Sequence, residues 1–260
     1  MTTHDAAHRP SPLLMMLEAR AFAEFGAFVA AYPLLRRAPR GDGHPVLVLP
    51  GLGADDASTW PLRAYLRDLG YAVHGWQLGT NRGPREGVEG RLRERLATLA
   101  ARHGRKVSVI GWSLGGVMAR ELVRAEPAPA RCVITLGSLF GGEPGWTSVG
   151  GMYEALCGRS VAEDWPDRDR LRTPPPLPST AIYTRSDGIV AWQGCLEQKS
   201  PRSENIEVEA SHCGMAVNPA VLYAVADRLA QPEGRWRPFE RTGARRLIYR
   251  DPQRPAPAAA

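Results

Sequence analysis

A serine set between two glycines opens the chemical reading of this chain: Gly111-Trp112-Ser113-Leu114-Gly115. Lys106–Ile110 reads as a strand running into this pentapeptide and Leu114–Ala125 as a helix running out of it. A strand-to-helix turn this tight holds its central residue in a strained backbone and leaves no room for flanking side chains. The hydroxyl then stands above the carboxyl edge of a sheet, where ligands of open α/β sheets bind. The plain alternative is that Ser113 caps its helix.

A hydroxyl becomes a nucleophile near neutral pH only with a base beside it, and the base needs a third group to orient it. Of six histidines only His212 follows Ser113, on the loop Ala210–Gly214 after the last expected strand. After elbows of this type the partners come in the order serine, acid, histidine. Thirteen carboxylates lie between Ser113 and His212, and Asp187 in Thr184-Arg185-Ser186-Asp187-Gly188 is the one expected to leave the end of a strand. Asp-Gly is also a common turn pair, which is the competing reading of that residue. Asp164, Asp167 and Asp169 sit among arginines, where solvated ion pairs are expected.

Acyl transfer also needs donors for a developing oxyanion. The expected pair is the N–H of Leu114, after the serine, and that of Leu52 in Pro50-Gly51-Leu52-Gly53-Ala54. That loop lacks G-x-G-x-x-G and a following Lys-Ser/Thr, which excludes a phosphate loop. Histidines, cysteines and carboxylates show no ligand spacing, so neither metal nor cofactor is expected. Gly51, Trp60, Trp112, Ile189 and Trp192 are expected to line a largely apolar substrate pocket with Leu52 and Leu114.

Strands and helices must carry these groups to one place. Six short apolar runs, Val46–Leu49, Ala72–Trp76, Lys106–Ile110, Cys132–Leu136, Thr180–Thr184 and Asn205–Glu209, alternate with helical stretches at Pro61–Leu69, Glu86–His103, Leu114–Ala125 and Val217–Leu229. This alternation predicts an α/β fold with a mostly parallel sheet of about six strands and helices on both faces. Residues 41–232 form the expected domain of the 260-residue chain, after an N-terminal helix and linker over 1–40. Residues 140–179 are glycine- and proline-rich and too long for a plain connection, so a lid is expected there. Residues 233–260 form a basic Pro/Arg-rich tail, expected to be partly disordered.

The net charge of +6 comes mostly from that tail, which holds seven arginines against three carboxylates from Gln231 onward. The body is nearly neutral, so no nucleic-acid partner is expected. Leu13–Tyr32 reads as a helix with Leu14, Leu17, Ala21, Phe25, Phe28 and Tyr32 on one stripe, ended by Pro33. It is expected to dock on the core or on a second copy, with a membrane-surface contact as the alternative. Glu18, Arg20 and Glu24 interrupt its apolar run, so neither a signal peptide nor a membrane span is read there and a cytoplasmic setting is expected. Cys195 and Cys213 adjoin the acid and base loops, where a disulfide would tie them together; the missing secretion signal opposes that bond.

Taken together, the elbow, the Pro50-Gly51-Leu52-Gly53 loop, Ile134-Thr135-Leu136-Gly137-Ser138, Ser186-Asp187-Gly188-Ile189-Val190 and Ser211-His212 resemble the α/β-hydrolase superfamily, in its bacterial lipase and esterase branch. The resemblance runs from about Val46 to Leu229 and implies nucleophile Ser113, acid Asp187, base His212 and a two-donor oxyanion hole. It departs where many such enzymes carry His-Gly, since this chain has Pro50-Gly51; no antiparallel strand pair precedes Val46, which implies a reduced sheet. The implied activity is hydrolysis of small-molecule or lipid carboxylic esters through an acyl-enzyme. Thioester hydrolysis, acyl transfer to another acceptor, and a non-catalytic binding protein on the same fold stay open at this point.

Overall fold

Runs of β-branched and aliphatic residues give six parallel strands in one sheet: β1 Pro45–Leu49, β2 Ala72–Gly75, β3 Val107–Trp112, β4 Ala130–Leu136, β5 Ser179–Tyr183 and β6 Ser203–Glu207. The computed structural model describes residues 8–252; residues 1–7 and 253–260, the outer ends of the expected N-terminal segment and tail, lie outside the described residues. Strand order is β2-β1-β3-β4-β5-β6, with Leu49 paired to Gly111, Trp112 to Leu136 and Leu136 to Ile182. The chain therefore reverses its direction of winding between β1 and β3. The ends of those two neighbours carry the Gly51-Leu52 loop and Ser113, at the crevice such a reversal opens. Among the described residues no strand precedes β1, in keeping with the reduced sheet expected.

Period-two alternation splits the core. Val46, Val48, Ile110 and Ile134 face one layer, and Leu47, Leu49, Val109 and Val133 face the other. The first layer holds Leu62, Tyr65 and Leu66 of α3 (Trp60–Asp68) and Val221, Leu222 and Val225 of α9 (Pro219–Leu229). The second holds Leu92, Leu96 and Leu99 of α4 (Val88–His103) with Met118, Leu122 and Val123 of α5 (Leu114–Ala125).

The N-terminal segment departs from its expected form. It is α1 Pro12–Met16, a 3-10 turn Leu17–Arg20, and α2 Ala21–Leu35, which runs through Pro33 instead of stopping there. Proline removes only the bond to the Val29 carbonyl, and Val29 lies on the solvent side, 58% exposed. The burial pattern also differs: Glu18, Phe28 and Leu35 are buried, whereas Leu17, Phe22, Phe25 and Val29 are exposed. Among the described residues no helix is long and apolar enough to cross a membrane.

Residues 140–179 contain three short helices, α6 Gly150–Cys157, α7 Val161–Asp164 and α8 Arg168–Arg172. Ser160 and Glu163 close a capping box on α7, and Asp167 caps α8. Only Asp169, at 97% exposure of its side chain, is the solvated partner expected of all three aspartates; Asp164 is buried between Arg159 (3.1 Å) and the Tyr153 hydroxyl (2.6 Å). The described part of the tail is docked: Phe239 and Tyr249 join the first core layer, and α10 (Arg245–Ile248) leads into Tyr249. Two aromatic side chains supply the apolar area that its arginines and prolines lack.

A buried ion pair joins α5 to the far end of the sheet. Arg120 and Glu197 are in direct contact with both side chains fully buried, and the Ser179 hydroxyl donates to the same carboxylate oxygen. Arg120 also donates to the carbonyls of Leu171 (2.9 Å) and Thr173 (3.0 Å), while its guanidinium lies 3.7 Å over Phe140. One guanidinium thus anchors the 140–179 segment to α5. Glu197→Ala strands that cation and is expected to cost about 3–5 kcal/mol in urea denaturation. The Arg120→Met, Glu197→Leu double variant is expected to recover much of the loss, and strictly additive losses would refute the coupling.

Candidate active site

β3 ends at Trp112 and α5 starts at Leu114, so Ser113 alone makes the turn, with φ 54° and ψ −124°. A left-handed φ costs a residue with a Cβ about 1–3 kcal/mol unless its surroundings fix it. Here the Ser113 N–H donates to the Leu136 carbonyl (2.8 Å), and the Ser113 carbonyl accepts from the Gly116 N–H (2.9 Å). A Cβ on Gly111 would sit 2.3 Å from the Gly115 carbonyl oxygen, and one on Gly115 only 2.5 Å from that of Pro50. Helix α5 packs backbone to backbone on β3 and the end of β1, and this contact accounts for the glycine spacing. The Ser113 hydroxyl makes no cap on α5.

It points to His212 instead. Ser113 Oγ lies 2.9 Å from His212 Nε2, and His212 Nδ1 lies 2.8 Å from Asp187 Oδ2. A carboxylate only accepts, so Nδ1 carries the proton and Nε2 keeps the lone pair that faces the serine hydroxyl. The other Asp187 oxygen, Oδ1, accepts from the N–H groups of Ile189 and Val190, each at 2.8 Å. Both sequence readings of Asp187 meet here: one oxygen closes a turn and the other holds the imidazole. Burial disfavours the imidazolium, but the Asp187 charge and hydrogen bond, with the Glu18 charge behind them, raise the His212 pKa above its ordinary value. The Trp112 indole N–H donates to the His212 carbonyl at 3.0 Å and braces the loop from below.

Ser113 opens into a largely apolar pocket of about 60 Å³, lined by Leu52, Leu114, Val117, Leu139 and Val190 and by Thr147, Val149, Tyr153, Val161, Trp165 and Arg168 of the 140–179 segment. Leu114 is the first residue of α5, where helix N–H groups have no intrahelical acceptor. Among the described residues neither the Leu52 nor the Leu114 N–H donates to a protein group. Gly51 packs beside Ser113, where an added Cβ would lie 3.3 Å from the serine Cβ.

Four expected lining residues are turned away from this pocket. Trp60 is 58% exposed at the start of α3, and Trp112 is occupied by the His212 loop. Trp192 stacks on Tyr183 (5.8 Å) under the Arg185 guanidinium (4.4 Å), and Ile189 packs beside them while its carbonyl is held by Thr147 and Ser148. Trp112, Ile189 and Trp192 instead pack against the loops and strand ends that carry the acid and base candidates. Nor does a disulfide join the loops: all four cysteines are free, with Cys195 buried in its 3-10 turn and Cys213 exposed.

The sequence reading missed what lies on the other side of His212. Glu18, Arg20 and Glu24, read as interruptions of an apolar helix, hydrogen-bond the Asp187 and His212 loops. Their signal was three charges within seven residues of an otherwise apolar stretch; nothing in the sequence said that these charges face inward. The pocket residues Tyr153, Val161 and Trp165 were missed as well, although Ser160-x-x-Glu163 is a legible capping box beside them.

No family model and no curated protein matches the chain. Among solved structures it is similar to lipase B of Aspergillus fumigatus, with 14% identity, a TM-score of 0.58 and 75% of this chain covered. The chain spans about half of that lipase (54%). It is similar also to the mature lipase BlEst2 of Bacillus licheniformis (14% identity, TM-score 0.54, 75% of this chain and 95% of that one). A third likeness is to the monoacylglycerol lipase of Paleococcus ferrophilus (16% identity, TM-score 0.52, 73% and 96%). At such identities likeness speaks for architecture: by its strand order, its switch-point elbow and these neighbours, the chain has the α/β-hydrolase fold.

Proposed function

We propose that the protein is a serine hydrolase of carboxylic esters that works through an acyl-enzyme. One observation carries this reading: the unbroken hydrogen-bonded line from Asp187 through His212 to Ser113, at 2.8 and 2.9 Å, on the wall of an apolar pocket. Ser113 Oγ attacks the ester carbonyl as His212 Nε2 takes its proton, while Asp187 keeps the imidazole oriented and steadies the imidazolium. The N–H groups of Leu52 and Leu114 receive the oxyanion. Collapse of the tetrahedral intermediate expels the alcohol, which takes the proton from His212. Water activated by the same base then attacks the acyl-serine and releases the acid.

The apolar lining suits an acyl chain, and its size limits that chain. A pocket of about 60 Å³ is well below the roughly 150 Å³ of a cavity that accepts benzene. Short acyl groups fit, whereas a long one requires the 140–179 segment to move aside as a lid.

Ser113→Ala is expected to abolish labelling by a fluorophosphonate and to lower kcat by about 10⁴-fold or more; labelling that persists would refute the nucleophile. With His212 required unprotonated and its pKa raised, kcat/KM should climb with pH through a midpoint above about 6.5, the ordinary histidine value. A profile level from pH 5 to 8, with chemistry limiting, would contradict His212 as base. Across p-nitrophenyl esters, butyrate should be hydrolysed faster than laurate; the reverse order would mean that the pocket does not hold the acyl chain.

A further inference from the structure

A helix that merely covers a sheet needs apolar residues on its inner face. Here the inner face carries Glu18, 7% exposed, with no cation paired to it among the described residues. Burying a lone carboxylate is costly unless several donors meet it, and three do. Glu18 Oε1 accepts from the N–H groups of Gly188 (2.8 Å) and His212 (3.1 Å), and Oε2 accepts from that of Cys213 (2.8 Å). One carboxylate therefore bonds the backbone of the residue after Asp187 and that of His212 itself.

Its neighbours repeat the pattern. Glu24 accepts from the Ser211 N–H and hydroxyl, both at 2.7 Å. Arg20 donates to the Ser186 carbonyl and hydroxyl (2.8 Å each) and to the Ala210 carbonyl (2.6 Å). The two loops carry glycine where the helix lands. A Cβ on Gly188 would lie 2.3 Å from the Leu14 carbonyl oxygen, and one on Gly214 only 1.4 Å from Glu24 Oε2.

We propose that Glu18, supported by Arg20 and Glu24, is a positioning residue of the active site, clamping the acid and base loops in register and adding a second negative charge behind the His212 ring. This role rests on the hydrolase reading for what the clamped loops do. The charged and titratable groups around His212 are Asp187 and Ser113 at its ring, Glu18 and the Cys213 thiol at its backbone, and Glu24 and Arg20 at the adjoining residues. Partial desolvation, with Glu18 beside it, pushes the Cys213 thiol up to about 12, so it stays neutral and adds no charge of its own. Neutralising Glu18 leaves Asp187 as the one carboxylate stabilising the imidazolium from close range.

The test is the full-length chain with Glu18→Gln, followed by the NMR titration of the His212 imidazole and by kcat and KM against pH. The His212 midpoint and the acid limb of kcat/KM should both fall by about one pH unit. At its own optimum kcat should drop about tenfold with KM within about twofold. Glu18→Asp, which keeps the charge on a shorter arm, should restore the midpoint but not kcat. A folded Glu18→Gln protein with native midpoint and kcat overturns the proposal. Glu24→Gln, at a carboxylate 3.9 Å from the Arg20 guanidinium, should lower kcat with little effect on the midpoint; if Glu18→Gln fails to fold, a Glu18→Asp protein with native kcat overturns the proposal. Because the NMR midpoint needs no turnover, a shifted imidazole in a wild-type protein that hydrolyses no ester and takes no fluorophosphonate would sink the hydrolase reading and leave the clamp standing.

Discussion

Backbone packed against backbone at the crossing of β3, β1 and α5 is the constraint on which the site depends. Gly111 and Gly115 bring the strand ends and the first turn of α5 closer than any Cβ allows. That approach forces Ser113 into the left-handed region and lifts its hydroxyl off the sheet. The strain is local, of order 1–3 kcal/mol, and the buried layers on both faces of the sheet offset it easily. The same crossing sets Leu52 and Leu114 on either side of the serine, because β1 and β3 are hydrogen-bonded neighbours.

Around this crossing the chain buries several carboxylates, each met by donors suited to its task. Asp187 divides its oxygens between a turn and the imidazole. Glu197 meets a guanidinium and a hydroxyl, tying α5 to the start of β5. Glu18 meets three backbone N–H groups and, among the described residues, no cation. An ion pair would cancel the charge of Glu18, whereas backbone donors solvate it and leave its field on the neighbouring imidazole. The two termini thus contribute differently: the N-terminal helix holds the loops of the site, while the described tail docks Phe239 and Tyr249 on the core layer that also takes Phe28 and Leu35 of that helix.

The 140–179 segment shows how a long irregular-looking stretch becomes ordered. Its glycines and prolines hide three short helices, whose caps, Ser160 with Glu163 and Asp167, are readable once sought. Its apolar residues are too few for a layer of their own, so Tyr153, Val161 and Trp165 close over Ser113 and complete the pocket.

The order of strands and helices, the elbow at Ser113 and the candidates Asp187 and His212 were all legible in the linear sequence, because local rules govern them: period-two runs, crossover lengths, glycine spacing, and the one histidine that follows the serine. The walls of the pocket were not legible, since Trp60, Trp112, Ile189 and Trp192 look like lining residues until the contacts of each are known. Nor was the inward turn of Glu18, Arg20 and Glu24, on a segment whose Leu17, Phe22, Phe25 and Val29 stay in solvent. Hydropathy records only what a side chain loses by leaving water. Whether three backbone N–H groups, from loops about 170 to 195 positions away, wait to repay a buried carboxylate is decided by the packed molecule alone.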